Sequence, residues 1–110
     1  MLIMANLRNI TSKEQYDEFI KNNVIVKFGA DWCGPCRLLE KNIVNLDETK
    51  FDVSFGEVNV DDDFADEITS SLGIRNIPVT IFFKDGKEIK RLVGLKTVQD
   101  LYNEINDAYS

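Results

Sequence analysis

The chain has 110 residues, 44% hydrophobic and 29% charged, enough apolar side chain for one ordinary core and too much for wholesale disorder. A formal net charge of −6 and a pI near 4.6 argue against nucleic acid or an anionic membrane surface as partner, since either would repel the chain. No apolar run reaches the roughly 20 residues that cross a bilayer. The start, Met1-Leu2-Ile3-Met4-Ala5-Asn6-Leu7-Arg8, lacks the basic segment and long apolar stretch of a secretory leader, so the sequence reads as cytoplasmic.

In chain order, a short strand is read near Leu2–Leu7. Thr11 with Glu14 three residues on has the capping-box form and opens a helix whose stripe is Tyr16, Phe19 and Ile20. Val24–Ala30 is a short β-branched run of the kind that forms a buried strand. Pro35 suits the first turn of a second helix, which Leu38, Leu39, Ile43, Val44 and Leu46 continue at helical spacing. Phe51–Val60 reads as a strand, and residues from about Phe64 to Leu72 as a helix stopped by Gly73. Val79–Lys84 and Lys87–Val93 are strands joined by Asp85-Gly86, a hairpin dipeptide. A last helix runs from about Thr97 to Tyr109, with Val98, Leu101, Tyr102 and Ile105 on one face. The alternation predicts an α/β chain with a mixed sheet and helices on both faces. With no repeat, low-complexity tract or linker, residues 1–110 read as a single domain.

Asp31-Trp32-Cys33-Gly34-Pro35-Cys36 holds both cysteines of the chain. In a reducing compartment such a close pair is more often catalytic or metal-binding than structural. At a strand-to-helix junction it is a redox candidate. Cys33 falls at the helix start and Cys36 within the first turn, so the sulfurs can meet in a small ring. The free N–H groups and positive dipole end of the helix favour a thiolate at Cys33, the species that attacks a disulfide. Pro35 stiffens the ring and removes only an N–H with no intrahelical partner. Two other readings compete. A zinc half-site needs four ligands, and the chain has no histidine and no third cysteine. A structural disulfide closing so short a loop constrains the unfolded chain very little.

Trp32-Cys33-Gly34-Pro35-Cys36 resembles the active-site motif of the thioredoxin family. The similarity extends through Asn59-Val60-Asp61, Gly73-Ile74-Arg75, Ile77-Pro78, Phe82-Phe83-Lys84-Asp85-Gly86 and Val93-Gly94. The resemblance implies the thioredoxin fold, a central mixed β-sheet of four to five strands flanked by four helices. It implies no bound cofactor, a redox-active Cys33–Cys36 disulfide, an exposed nucleophile at Cys33 and a resolving thiol at Cys36. It further implies a cis Pro78 facing the cysteines, and an apolar target-docking rim of Trp32, Gly34, Pro35, Val60, Ile77, Val93 and Gly94. Bottom-up, Pro78 is also tolerated simply as the first residue before a strand. Partners implied are protein disulfides and a thioredoxin reductase, for a chain expected to be monomeric.

The sequence departs from the family pattern at five places. Lys27 stands where most members carry a buried aspartate, and Glu57 where they carry its lysine partner. By resemblance the two face each other on adjacent parallel strands, which predicts a semi-buried Lys27–Glu57 ion pair, with Glu57 as proton relay and both groups tuning the thiols. The competing reading sends both side chains to solvent. Gly29 replaces a common tryptophan, which predicts altered packing beside the site. Lys41 replaces a helix-kinking proline, which predicts a straighter second helix. Val79 replaces a common threonine after the proline. The expected function is reduction of protein disulfides. A specialised oxidant, a narrow-substrate reductase and a non-catalytic binding subunit are the alternatives.

Overall fold

The central strand of the sheet, Val24–Gly29, is buried at every residue and pairs on both edges. The computed structural model describes residues 2–110. In chain order the elements are β1 (Leu7–Asn9), α1 (Lys13–Phe19), β2 (Val24–Gly29), α2 (Gly34–Val44), β3 (Ser54–Asn59), α3 (Ala65–Leu72), β4 (Val79–Lys84), β5 (Lys87–Val93) and α4 (Val98–Ala108). A single 3₁₀ turn, Glu48–Lys50, precedes β3. The five strands lie in the order β1-β3-β2-β4-β5. Strands β1 and β2 run parallel to β3, whereas β4 is antiparallel to β2 and to β5. The mixed sheet with four helices agrees with the expected fold class.

Strand alternation divides the apolar residues between two faces. On one face Ile25, Phe55 and Phe82 pack with Leu39 and Ile43 of α2 and Leu101 and Ile105 of α4. On the other, Val24, Val26, Phe28, Val58, Ile81 and Phe83 pack with Tyr16 of α1 and Ile68 of α3. Tyr16 meets Phe28 and Phe83 edge-on, with centroids 6.4 and 6.1 Å apart. No helix among the described residues is long and apolar enough to cross a membrane.

Several boundaries differ from the sequence reading. The N-terminal strand is Leu7–Asn9, paired with Phe55–Glu57, and Met4 makes only an isolated bridge to Asp47. Leu2, Ile3 and Met4 remain exposed because the open edge of β3 is met three residues later. The cap of α1 is Ser12, not Thr11. Ser12 Oγ accepts the Gln15 N–H at 3.1 Å, while Gln15 Oε1 accepts the Thr11 N–H at 2.8 Å, so Gln15 takes the reciprocal role expected of Glu14. Strand β3 begins at Ser54, because Phe51 instead packs against Tyr102 of α4 with ring centroids 5.5 Å apart. The hairpin strands fall where predicted, with Asp85 and Gly86 both at positive φ in the two-residue turn. Gly73 ends α3 in the left-handed region. Helix α2 runs unbroken through Lys41.

Candidate active site

Cys33 is the N-cap of α2, in extended backbone, and Pro35 lies in the first turn as predicted. The Cys33 N–H donates to Ala30 O at 3.2 Å, which ties the cap to the end of β2. Cys33 Sγ accepts the Cys36 N–H at 3.2 Å, and the Arg37 N–H donates to Cys33 O at 3.2 Å. One free N–H of the helix start therefore already points at the Cys33 sulfur. The two cysteines are joined as a disulfide, with Cα atoms 5.2 Å apart. The expectation of an openly exposed Cys33 needs correcting. Cys33 is 6% exposed and Cys36 0%, because Ala30, Val60 and Ile77 pack around the pair. What distinguishes the two residues is that Cys33 keeps a small exposed fraction and Cys36 keeps none.

Of the residues expected to form the rim, two, Val60 and Ile77, are in contact with the cysteine cluster. The Ile77–Pro78 peptide is cis, and Pro78 O accepts the Gly94 N–H at 2.8 Å, which joins the start of β4 to the end of β5. Gly34 and Pro35 are exposed on the helix start, and Trp32 and Val93 stand 73% and 57% exposed, unusual for large apolar groups. Trp32 is held in place nonetheless. Its Nε1–H donates to Asp61 Oδ2 at 2.8 Å, and the Asp61 N–H donates to Asn59 Oδ1 at 3.0 Å. The sequence reading did not assign Asp61 this role. The available signal was an indole N–H in need of an acceptor.

Beneath the disulfide, Lys27 pairs in register with Glu57 on β3 and Thr80 on β4. Its Nζ lies 3.3 Å from Glu57 Oε2 and 4.0 Å from Glu40 Oε2. The side chains are 7%, 27% and 47% exposed for Lys27, Glu57 and Glu40, so the pair is semi-buried and Lys27 is largely covered. Thr80 Oγ1 is fully buried with no hydrogen-bond partner among the described residues. Gly29 accounts for the crowding. A Cβ there would stand 3.1 Å from both Cβ and Sγ of Cys36 and 3.2 Å from Lys27 Cε, so the end of the lysine stem and the resolving sulfur converge on one spot. On the solvent side a cavity of about 270 Å³ opens, lined by Lys27, Gly29, Arg37, Glu40 and Glu57, among others. Glu40 was missed in the sequence because nothing in its helical spacing sets it apart from a solvated surface residue.

A C-x-x-C disulfide that caps the helix after the central strand of a five-stranded mixed sheet defines a class, the dithiol–disulfide oxidoreductases of this fold. Known proteins narrow it. The Thioredoxin family model matches residues 8–107. The chain is 40% identical over 98 residues to a thioredoxin of Chlamydia caviae, covering 88% of this chain and 94% of that protein. It is 41% identical over 90 residues to a thioredoxin of Mycoplasmoides gallisepticum, covering 80% and 88%. Among solved structures, a thioredoxin of Malassezia sympodialis superposes with a TM-score of 0.82 at 28% identity, covering 100% of this chain and 97% of that one. The chain belongs to the thioredoxin family. It is a protein-disulfide oxidoreductase whose dithiol pair is Cys33 and Cys36.

Proposed function

We propose that the protein works as a monomeric cytoplasmic reductant of protein disulfides, returned to its dithiol form by a thioredoxin reductase. The observation that carries the reading is the Cys33 sulfur at the helix cap, hydrogen-bonded to the Cys36 N–H, in a residue that keeps some exposure while Cys36 keeps none. In the reduced protein, the Cys33 thiolate attacks one sulfur of a target disulfide. A mixed disulfide forms, and the other target sulfur leaves as a thiolate and takes up a proton. The Cys36 thiol then gives up its proton, and its thiolate attacks Cys33 Sγ. The Cys33–Cys36 bond forms, and the second target sulfur leaves as a thiolate and takes up a proton in turn. Two electrons pass from the protein dithiol to the target.

Trp32, Gly34, Pro35, Val60, Ile77, Val93 and Gly94 form the docking rim for the target chain, and the cis Pro78 presents Ile77 to it. Glu57 accepts the Cys36 proton, with Lys27 as its ion-pair partner. Support for that pairing is the convergence of Lys27 Cε and Cys36 Sγ on Gly29. The test is insulin reduction with a dithiol donor, followed by mixed-disulfide resolution across pH in Glu57→Gln. Turnover is expected, with the pH profile of resolution altered in the variant. No turnover with any thiol donor sinks the reductase reading, and an unmoved profile removes Glu57 from the relay.

A further inference from the structure

We infer that Glu40 is a third member of the charge cluster beneath the disulfide, a positioning residue that sets how readily the thiols ionise. This rests on the dithiol exchange at Cys33 and Cys36 proposed above. Glu40 lies on α2 four residues after Cys36, so the two project from the same side of the helix, one turn apart. Its Oε2 is 4.0 Å from Lys27 Nζ, and that of the sheet-borne Glu57 is 3.3 Å from the same atom. One ammonium thus lies within ion-pair distance of two carboxylates, one carried by the sheet and one by the helix that bears the resolving sulfur.

The consequence is a matter of sign. A single ion pair beside the sulfurs is close to neutral, and its net effect on a thiolate is small. A second carboxylate leaves the cluster with one excess negative charge, which disfavours a thiolate at Cys36. When Glu57 takes the Cys36 proton, Glu40 keeps Lys27 paired, so the ammonium is never left buried alone. The other charged groups around the cavity are Asp31, Arg37 and Asp62, none of them ion-paired with Lys27 or the two glutamates. The neighbours on β4 and β1, Thr80 and Asn9, carry no charge. Because Glu40 is nearly half exposed, its effect is screened by salt.

The experiment is the equilibrium of the Cys33–Cys36 couple with a dithiol buffer, titrated from acid to alkaline pH at low salt in wild type, Glu40→Gln and Glu40→Asp. Glu40→Gln is expected to move the thiol ionisation to lower pH. At the alkaline end it favours the reduced form by roughly threefold, with no change at the acid end. The shift shrinks in about 1 M salt, and Glu40→Asp restores most of the wild-type curve. An unmoved curve, a shift toward the disulfide, or a shift that salt leaves intact overturns the proposal. The measurement uses no protein substrate. A chain that failed to reduce insulin would lose the reductase reading while the Glu40 result was still decided by its own titration.

Discussion

Strand β2 presents two faces with opposite uses. Toward α1 and α3 it offers Val24, Val26 and Phe28, all at most 1% exposed and packed wholly on apolar neighbours. Toward α2 it offers Ile25, then Lys27, then Gly29: one apolar residue, a buried ammonium and no side chain at all. Both faces are equally buried, so burial alone does not separate core from site. The difference is what each face can do without. The α1–α3 face can be filled to close packing because nothing there has to move charge. The α2 face gives up packing next to Cys36 for polar groups, one of them unpartnered, and that choice is destabilising unless the groups are used.

Substitutions on each face test this contrast. The largest effect is expected from Phe28→Ala on the apolar face, a loss of about 3–5 kcal/mol read from the urea midpoint, with the thiol titration unmoved. Next in size is an alkaline loss of stability centred on Tyr16. Burial pushes its hydroxyl up to about 12, with the charges of Asp17 and Glu88 adding to the shift. The unfolded chain ionises near pH 10, so the contribution is complete below that and is lost as pH rises through 10 to 12. It amounts to something on the order of 2 kcal/mol. Urea midpoints across that range check it, and Tyr16→Phe flattens the curve. Burial holds the Tyr109 hydroxyl above its ordinary range too, so a residual slope remains in that variant.

On the α2 face the expected signs differ. Thr80→Val removes a buried hydroxyl without a partner and is expected to raise stability by about 1 kcal/mol in the same urea experiment. A loss of similar size would mean that the hydroxyl is used. The smallest effect is kinetic. Lys27→Met leaves Glu57 and Glu40 beside Cys36 without their cation, which disfavours the thiolate and slows mixed-disulfide resolution at neutral pH by roughly threefold, as rapid-quench trapping would show. An accelerated resolution would mean that the lysine opposes the reaction.

Much of this is legible along the chain. The hairpin strands fall to the residue where the sequence puts them, since Asp85-Gly86 fixes the turn, although the pairing shifts register between Phe82 and Phe83. The Lys27–Glu57 pair is legible as well, because two facing residues on parallel neighbours have exchanged charge together relative to the family pattern. The cap of α1 lies one residue from its expected place, since Thr11-Ser12 offers two hydroxyls and only backbone geometry selects between them. The start of β3 is misread because Phe51 and Val53 look like strand residues until α4 is present to receive Phe51. Glu40 and Asp61 are invisible as site residues. Each owes its place to a partner 13 or 29 positions away, Lys27 and Trp32, and no local period records that.

The reaction class and the alternation of strands and helices follow from the chain alone, because helix caps, turn dipeptides and a two-residue gap between cysteines act over distances of a few residues. Which groups surround the sulfurs is settled only by the folded arrangement. Two strands and one helix must come together at Gly29 before Lys27, Glu57 and Glu40 line one cavity, and it is that arrangement that sets charge and packing beside Cys36.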